Sequence, residues 1–319
     1  MAKRPQKRKT LSGSMSKSVK KAAGLVGIFI LLLFTLLDLT GIVSFDSLLI
    51  KAGVEDKPAE HANTEVHFID VGQGDSTLLI SQGEAMLVDS GEKDESNTVI
   101  NYLKQQGVDE IKYLVVTHPH SDHMGEMSEI IDSFGVDNFI MPRVKNDVVP
   151  TTVTYENMLK SIKAKGRKIT AAKPCEFTVG DCKVQLFTPE EDYDNLNNYS
   201  TLVKITDGGN SFLITGDCET IEEKDILSQG YDLSAKVLKA GHHGSSTSSG
   251  VDFLNEVMPR YAVISCGVGN KYGHPHEETV TRLKKYASHL YITAEDGSIV
   301  FKSDGEGLSV ETSKGDKKK

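Results

Sequence analysis

The chain has 319 residues, 38% of them hydrophobic and 25% charged, with a formal net charge of −9 at pH 7. This composition predicts a globular protein. Residues 1–21 contain eight basic residues and no acidic ones, so the formal net charge of residues 22–319 is −9 − 8 = −17. An acidic chain without tryptophan is unlike a processive nucleic-acid-binding protein, which presents a basic stripe with stacking aromatics.

The basic residues 1–21 precede an apolar segment at residues 22–45, in which eleven Leu, Ile, Phe and Val residues lie at 25–37. At about −0.3 to −0.6 kcal/mol each, their insertion into a bilayer outweighs a cost of about 3 kcal/mol for Asp38. We therefore predict an uncleaved transmembrane signal-anchor at 22–45 in the cell membrane, with a cytoplasmic N-terminus and an extracellular domain. A cleaved signal peptide is the alternative, although residues 58–62 make a poor cleavage site.

Residues 46–63 are predicted to form a polar tether, residues 64–312 one globular domain, and residues 313–319 a lysine-rich tail. Apolar runs flanked by Gly, Pro and Asp separate the elements of the domain. Strands are predicted at residues 65–70, 76–81, 85–89, 113–117, 137–141, 183–187, 201–206, 211–216, 235–239, 261–265, 290–293 and 298–302. Helices are predicted at residues 96–106, 124–134, 153–165, 219–229, 251–258 and 277–287.

Four cysteines raise the question of disulfides in an exported domain. Cys175 and Cys182 flank a predicted hairpin with residues 180–181 at its tip. In that register Val179 faces Cys182, and Cys175 lies far along the ladder opposite Leu186, so the two cysteines are not expected to bridge. Cys218 and Cys266 lie at predicted strand ends, where a bridge is an alternative to the favoured buried free thiols.

The most informative motif follows the apolar run at residues 113–116. Three imidazoles and a carboxylate lie within six positions, at His118, His120, Asp122 and His123. Such a strand-end loop places two imidazoles on one metal ion and directs the other two side chains to a second ion, about 3.5–4 Å away in two-metal hydrolytic sites. Imidazole with carboxylate suits zinc, iron or manganese rather than calcium. A histidine-rich surface loop is the alternative, but later residues supply further ligands in order.

Three other predicted strands, one before the histidine-rich loop and two after it, also end in potential metal ligands or residues that could support one. The apolar run at 213–217 ends in Asp217, whose two oxygens suit a bridge between two metals. Residues 237–245 repeat the pattern with His242 and His243, and the spacing alone does not decide which of the two is a ligand. Asp89 ends another apolar run and is predicted to hold a ligand histidine in place from behind.

This order of residues resembles the metallo-β-lactamase fold superfamily over about residues 64–312. The stretches 66–76, 197–203 and 270–276, with the His-His-Gly-Ser turn, look like the soluble domain of the ComEC DNA-uptake channel family. The resemblance implies an α/β domain, a four-layer αββα sandwich with a dinuclear site at one edge of its two sheets. It also implies a metal-dependent hydrolase over residues 64–312, and likeness to other His-Gly turns favours His243 as the ligand.

The sequence departs from the superfamily pattern at one point. Most members have a further metal-binding histidine before the Gly-Asp strand, whereas no histidine occurs here between His123 and His242. The first metal would then have His118, His120, Asp217 and water. Such an open site makes manganese an alternative to zinc. One or two divalent ions (Zn or Mn) are predicted, and one firmly held ion is the safer expectation.

The predicted chemistry is hydrolysis by a metal-bound hydroxide, because coordination lowers the pKa of water to about 7. The predicted proton-transfer groups are Asp122, His242 and His274. The residues predicted to contact substrate lie in loops around the pocket, each with a role in capping turns as its alternative: Gln73, Asp75, Asn198, Ser200, Ser245, Asn270 and Tyr272.

The resemblance implies cleavage of phosphodiesters, with single-stranded DNA as one substrate and a separate membrane channel as one partner. The acidic charge instead favours small phosphodiesters, envelope phosphocholine-type esters or nucleotides. Two further hypotheses are a carboxylic ester or lactone hydrolase on the same fold, and a non-catalytic metal-stabilised module of a DNA-uptake or envelope complex.

Overall fold

The computed structural model describes residues 56–94 and 96–315, and the chain divides into the units Met1–Asp56 and Lys57–Lys319. The predicted anchor at 22–45 and basic segment at 1–21 lie outside the described residues, as does most of the predicted tether. Among the residues that are described, no helix is long and apolar enough to cross a membrane.

The first sheet of the Lys57–Lys319 unit has eight strands in the order β15-β14-β1-β2-β3-β4-β5-β6. Strands β3 to β6 run parallel to one another, and the remaining neighbours are antiparallel. The strands are β1 (Thr64–Phe68), β2 (Thr77–Ser81), β3 (Glu84–Val88), β4 (Glu110–Val115), β5 (Gly135–Met141), β6 (Ile169–Ala171), β14 (Ile299–Ser303) and β15 (Leu308–Thr312).

The second sheet has seven strands in the order β13-β12-β11-β10-β9-β8-β7. Strands β10 to β13 are parallel, and β7 to β10 are antiparallel. The strands are β7 (Cys175–Val179), β8 (Cys182–Phe187), β9 (Leu202–Asp207), β10 (Asn210–Ile214), β11 (Val237–Lys239), β12 (Tyr261–Ile264) and β13 (His289–Ile292).

Eight α-helices are described in the same unit. They are α1 (Thr98–Gln105), α2 (Ser121–Met124), α3 (Met127–Ser133), α4 (Val153–Ala164), α5 (Thr220–Ser228), α6 (Val251–Val257), α7 (Glu277–Tyr286) and α8 (Thr293–Asp296). Single 3-10 turns occur at Asn146–Val148, Leu196–Tyr199 and His242–Gly244.

Three apolar clusters divide the unit into layers. Alternate strand residues such as Phe68 and Phe212 meet between the two sheets. Leu114 and its neighbours on the other face of the first sheet pack against α1 to α4. Leu238 and its neighbours pack α5 to α7 onto the second sheet. Burial on both faces explains why the central strands are nearly continuous apolar runs. The layers run helix, sheet, sheet, helix, which confirms the predicted two-sheet α/β fold.

The structure differs from the prediction at several elements. The predicted helix at 124–134 is divided into α2 and α3, because the backbone N–H of Glu126 donates to Ser90 Oγ (3.2 Å) at the break. Strands β6 and β15 were not predicted. The predicted register of the hairpin is confirmed, because Val179 pairs with Cys182 and Cys175 pairs with Leu186. All four cysteines are free thiols, so the alternative bridge between the last two is not formed.

Candidate metal centre

The polar side chains singled out in the sequence follow four strands that end at the same edge of the molecule. Asp89 follows β3 and the histidine-rich loop follows β4, while Asp217 follows β10 and His243 follows β11. Parallel strands direct their carboxyl ends to one edge of a sheet, where sites of this kind form. Both sheets therefore contribute to one cluster.

Gly216 allows the loops from the two sheets to meet. Its φ is +51°, and a Cβ there would lie 2.7 Å from Thr117 Oγ1 and 3.0 Å from Ser200 Oγ. Only glycine fits this combination of left-handed backbone and close approach. Asp217 is thereby held next to the histidine-rich loop.

Two overlapping groups of ligand atoms share Asp217. One consists of His118, His120 and Asp217, and the other of Asp122, His123, Asp217 and His243; within each group the atoms lie within 4.8 Å of one another. In the first group, Asp217 Oδ2 lies 3.8 Å from His118 Nε2. In the second group, Asp217 Oδ1 lies 3.2 Å from His123 Nε2 and 3.5 Å from His243 Nε2.

The chemistry of these atoms fits one or two divalent ions. The Nε2 atoms of His123 and His243 and the Oδ1 atom of Asp217 are buried, with no hydrogen-bond partner among the described residues. Buried polar atoms are nearly always hydrogen-bonded, so three that face one another without partners indicate a ligand. Nitrogen and carboxylate oxygen are suitable donors for divalent transition metals.

Asp89 lies behind His123, on the side of the imidazole away from Asp217. Its Oδ2 atom is 2.8 Å from His123 Nδ1 and accepts from Thr117 Oγ1 (2.6 Å), while Oδ1 accepts from the Thr117 backbone N–H (2.7 Å). A proton on Nδ1 leaves Nε2 free to bind a metal. The arrangement directs the His123 lone pair towards Asp217.

His242 and His243 lie side by side, both with left-handed backbone (φ 49° and 53°). The Nε2 atom of His243 faces Asp122 Oδ2 at 3.3 Å, and its Nδ1 atom lies 3.1 Å from the Ser265 carbonyl. The Nε2 atom of His242 lies 3.8 Å from Asp217 Oδ2, nearer the rim. The structure therefore brings His243 into the second group of ligand atoms and leaves His242 beside the first.

The electrostatics of the cluster reflect four carboxylates around the imidazoles. Burial opposes charge on His243, but Asp217 and Asp75 outweigh it and raise the pKa of His243 to about 10. Burial likewise opposes ionisation of Asp217, yet His243 and His123 hold its pKa well below the usual range. The metal-free cluster thus keeps protons on nitrogens that a metal would take.

An open cleft of about 260 Å³ lies over the cluster. It continues into a groove of about 300 Å³, whose lining includes Asn270, Lys271 and Glu92. Of the residues predicted to contact substrate, Asn270 lines the groove, and Gln73 and Tyr272 line both. The cleft is lined by Gln73, His120, Ser121, Asp122, Asn197, Asp217, His242, His243, Tyr272 and His274.

The other four residues predicted to contact substrate are buried beneath the cleft, and that prediction is corrected for them. Ser200 Oγ donates to the Asn197 carbonyl (2.7 Å) and accepts from the Asp217 backbone N–H (3.0 Å). Asn198 Nδ2 donates to Glu219 Oε2 (3.1 Å). Ser245 is 3% exposed. These side chains shape the loops that carry the ligands.

Asp75, the fourth of them, is also buried. Its Oδ1 atom lies 3.4 Å from His243 Nδ1, and its Oδ2 atom lies 2.7 Å from the ammonium of Lys239. The predicted contact with substrate is therefore replaced by contact with a ligand histidine from behind.

Sequence reasoning missed Lys239, Asn197 and Glu219. Lys239 has a signal in the sequence, because it is a charged residue between the apolar pair at 237–238 and Ala240. Glu219, two residues after Asp217, accepts from Thr247 Oγ1 (2.9 Å) and lies 3.4 Å from His242 Nδ1. Asn197, rather than the adjacent asparagine, lines the cleft because the 3-10 turn at Leu196–Tyr199 directs it there.

A model of the metallo-beta-lactamase superfamily matches residues 69–268. The chain therefore belongs to the metallo-β-lactamase superfamily, as the strand-end motifs predicted. Its relatives include ComE operon protein 3 of Bacillus subtilis, which is 28% identical over 265 residues, covering 77% of this chain and 34% of that protein. Competence protein ComA of Neisseria gonorrhoeae is 29% identical over 234 residues, covering 73% of this chain and 31% of that protein.

These relatives confirm the predicted resemblance to competence proteins. The chain spans about a third of the length of the curated relatives that it matches. Among solved structures, a mutant of CmlA, the β-hydroxylase of Streptomyces venezuelae, shares the fold with a TM-score of 0.50 and 12% identity, covering 81% of this chain and 59% of that one.

Proposed function

We propose that the chain is a membrane-anchored phosphodiesterase that uses one or two zinc or manganese ions and acts on nucleic acid outside the cell. One observation carries the choice of phosphodiester over carboxylic ester. Every residue lining the 260 Å³ cleft is a polar or aromatic side chain. Pockets for apolar ligands are lined mainly by hydrophobic side chains, whereas this one suits a charged, oxygen-rich substrate.

The metals, when bound, would neutralise charge on a phosphoryl oxygen and lower the pKa of water. The chain's own residues divide the remaining tasks. Asp217 would help to hold a metal at either position, since it belongs to both groups of ligand atoms, and Asp122, which lines the cleft, would accept a proton. Burial and the neighbouring His242 lower the pKa of His274 to about 4, so His274 is neutral at pH 7 and accepts rather than donates. Protonation of the leaving group then falls to His242.

The groove beside the cleft supports a substrate with a planar base. Tyr272 is 51% exposed and its ring stacks on His274, with centroids 5.7 Å apart and an interplanar angle of 21°. The Lys271 ammonium lies 5.0 Å from the tyrosine ring centroid, where it would repel a phosphocholine cation and attract a phosphate. Exposed aromatics of this kind stack nucleobases without sequence preference.

Gln73 adds a donor between the cleft and the groove. Its Oε1 atom accepts from the Gly267 backbone N–H (3.2 Å), which orients the side chain. Its Nε2 atom is buried and finds no hydrogen-bond partner among the described residues. A phosphate oxygen in the cleft would satisfy it. With the names of two relatives that refer to competence and the ComE operon, this favours single-stranded DNA over an envelope ester.

The apolar segment at 22–45 would hold the domain at the outer surface of the cell membrane, and the basic residues 1–21 would lie in the cytoplasm. The relatives extend well beyond the matched region. We propose a separate membrane channel as the partner that brings DNA to the groove.

The test uses the full chain, purified without chelator and assayed with Mn²⁺ or Zn²⁺ on single-stranded DNA, bis(p-nitrophenyl) phosphate and a p-nitrophenyl carboxylic ester. We expect metal-dependent cleavage of the first two, lost in Asp122→Ala. Asp137→Ala is the matched control, since Asp137 pairs with Arg167 on the surface (3.7 Å) and should leave activity unchanged. Cleavage of the carboxylic ester alone, or bound metal without turnover, would contradict the proposal and favour a lactone-type hydrolase or a non-catalytic module.

A further inference from the structure

A lysine lies inside the carboxylate cluster, in a position that the hydrolytic chemistry does not use. Lys239 ends β11, and its side chain is 0% exposed. Its ammonium donates to the Ala240 carbonyl (2.8 Å) and pairs with Asp75 Oδ2 (2.7 Å). A fully buried lysine is uncommon, because the charge is costly to remove from water unless a partner compensates it.

The carboxylate that it pairs with belongs to a third group of potential metal ligands. Asp75, Asp89 and His123 offer atoms within 4.8 Å of one another. Asp75 is 2% exposed, and its two oxygens also lie 3.4 Å from His243 Nδ1 and 4.0 Å from His123 Nδ1. The Asp75 oxygen nearest the lysine, Oδ2, is the one that lies 4.0 Å from His123 Nδ1, so the ammonium is its nearest cationic partner.

We propose that Lys239 is an internal cation of the metal centre, which compensates Asp75 so that the cluster stays folded without metal and binds its metal weakly enough to exchange it. The ammonium stands where a further ion would otherwise be attracted. It adds one positive charge to a site with three buried carboxylates, at Asp75, Asp89 and Asp217, and a half-buried one at Asp122.

The two consequences have opposite signs and can be measured separately. Without the ammonium, the buried carboxylate of Asp75 has lost its nearest cationic partner, and the metal-free fold is destabilised. A bound dication then compensates Asp75 instead, so metal binds more tightly. Linkage requires that the loss of stability and the gain in affinity reflect the same coupling.

The experiment compares Lys239→Met with Lys204→Met in the full chain. Lys204 lies in β9 of the same sheet, is 5% exposed, and pairs with Asp232 Oδ2 (3.1 Å) away from the cluster. Thermal unfolding is followed in EDTA and in saturating Mn²⁺, and the Mn²⁺ Kd is measured by titration.

For Lys239→Met we expect Tm to fall by about 10 °C in EDTA and by less than half as much in Mn²⁺. We expect Mn²⁺ to bind about tenfold more tightly or better. Lys204→Met should lower Tm equally in both conditions and leave the Kd unchanged. An unchanged or weaker Kd in Lys239→Met, or an equal loss of Tm with and without metal, would overturn the inference.

A second variant covers the case in which Lys239→Met does not fold without metal. The double variant Asp75→Asn with Lys239→Met removes one charge of each sign, so Tm in EDTA should recover and the Kd should return to within about threefold of wild type. A Kd that remains tenfold tighter would contradict the compensation. The inference rests on the candidate metal centre and not on the substrate: wild-type protein that binds no Mn²⁺ overturns both proposals, whereas binding without the expected differences overturns only this one.

Discussion

Replacing Asp89 with asparagine tests whether the second group of ligand atoms depends on the carboxylate behind it. In the native protein both hydrogen bonds to Asp89 Oδ2, from Thr117 Oγ1 and from His123 Nδ1, need an acceptor. An asparagine keeps its oxygen for the Thr117 backbone N–H and turns an NH₂ donor towards the imidazole. The His123 proton then shifts to Nε2, the atom that faces Asp217.

The size of the effect follows from these contacts. A hydrogen bond to a charged group contributes about 1.5–3 kcal/mol. Loss of a partner behind a metal-binding histidine weakens metal affinity by about 10–100-fold. Stability should change little, because burial, acting against its hydrogen bonds, raises the pKa of Asp89 and makes the carboxylate costly in the metal-free fold. Asp89→Asn should therefore lose affinity at the second group and keep its Tm within a few degrees.

Mn²⁺ titration of the full chain, with bound ion counted by mass spectrometry and followed by electron paramagnetic resonance, separates the two groups. Binding at His118, His120 and Asp217 should persist, and binding at the group that contains His123 should weaken. Asp137→Asn, on the exposed surface of β5, is the control. Unchanged Kd values at both groups, or a large fall in Tm with equal loss at both, would refute the reasoning.

Four further outcomes are expected. Gly216→Ala should abolish metal binding and lower the free energy of unfolding by about 2–4 kcal/mol, measured by urea titration, because its Cβ would meet Thr117 at 2.7 Å in a left-handed backbone. Mn²⁺ uptake should release protons and weaken as pH falls, since the pKa of His243 is raised to about 10; calorimetry in buffers of different ionisation enthalpy measures the release. Burial raises the pKa of Glu223 from 4.5 to about 7, so between these pH values the native state binds this proton and the unfolded chain does not. The free energy of unfolding should therefore fall by up to about 3 kcal/mol as the pH rises from about 4.5 to 7. Glu223→Gln should reduce the loss of stability between pH 5 and 8 in urea titrations by the share that Glu223 contributes, and an unaltered loss would contradict the assignment. Tyr272→Ala should slow cleavage of single-stranded DNA about tenfold and leave bis(p-nitrophenyl) phosphate turnover unchanged, whereas equal losses on both would exclude a stacking role.

The clustering of the site was predictable because its residues follow strand ends. An apolar run identifies a buried strand, and the polar residues within three positions after Val88, Val115 and Ile214 must emerge at its carboxyl edge. Pairing of β3 with β4 and of β10 with β11 then brings them together.

What the sequence could not supply depends on the paths of the loops. Asp75 and Ser200 are polar residues in glycine- or asparagine-rich turns, which is equally true of residues that line a cleft and of residues that fold beneath it. Only the course of the backbone decides whether Asn197 or Asn198 lines the cleft. Strand β6 was missed because it has three residues, two of them exposed, and presents no apolar alternation.

The ligands of the centre are divided along the chain as well as between the sheets. Residues 118–123 come from the first sheet, and Asp217 and His243 come from the second, about a hundred residues later. A chain interrupted before β10 would have four of the side chains but lack the carboxylate that both ion positions share. A partly made or clipped polypeptide therefore cannot assemble either group of ligand atoms in full, and the centre is complete only after the last third of the chain has joined the first sheet.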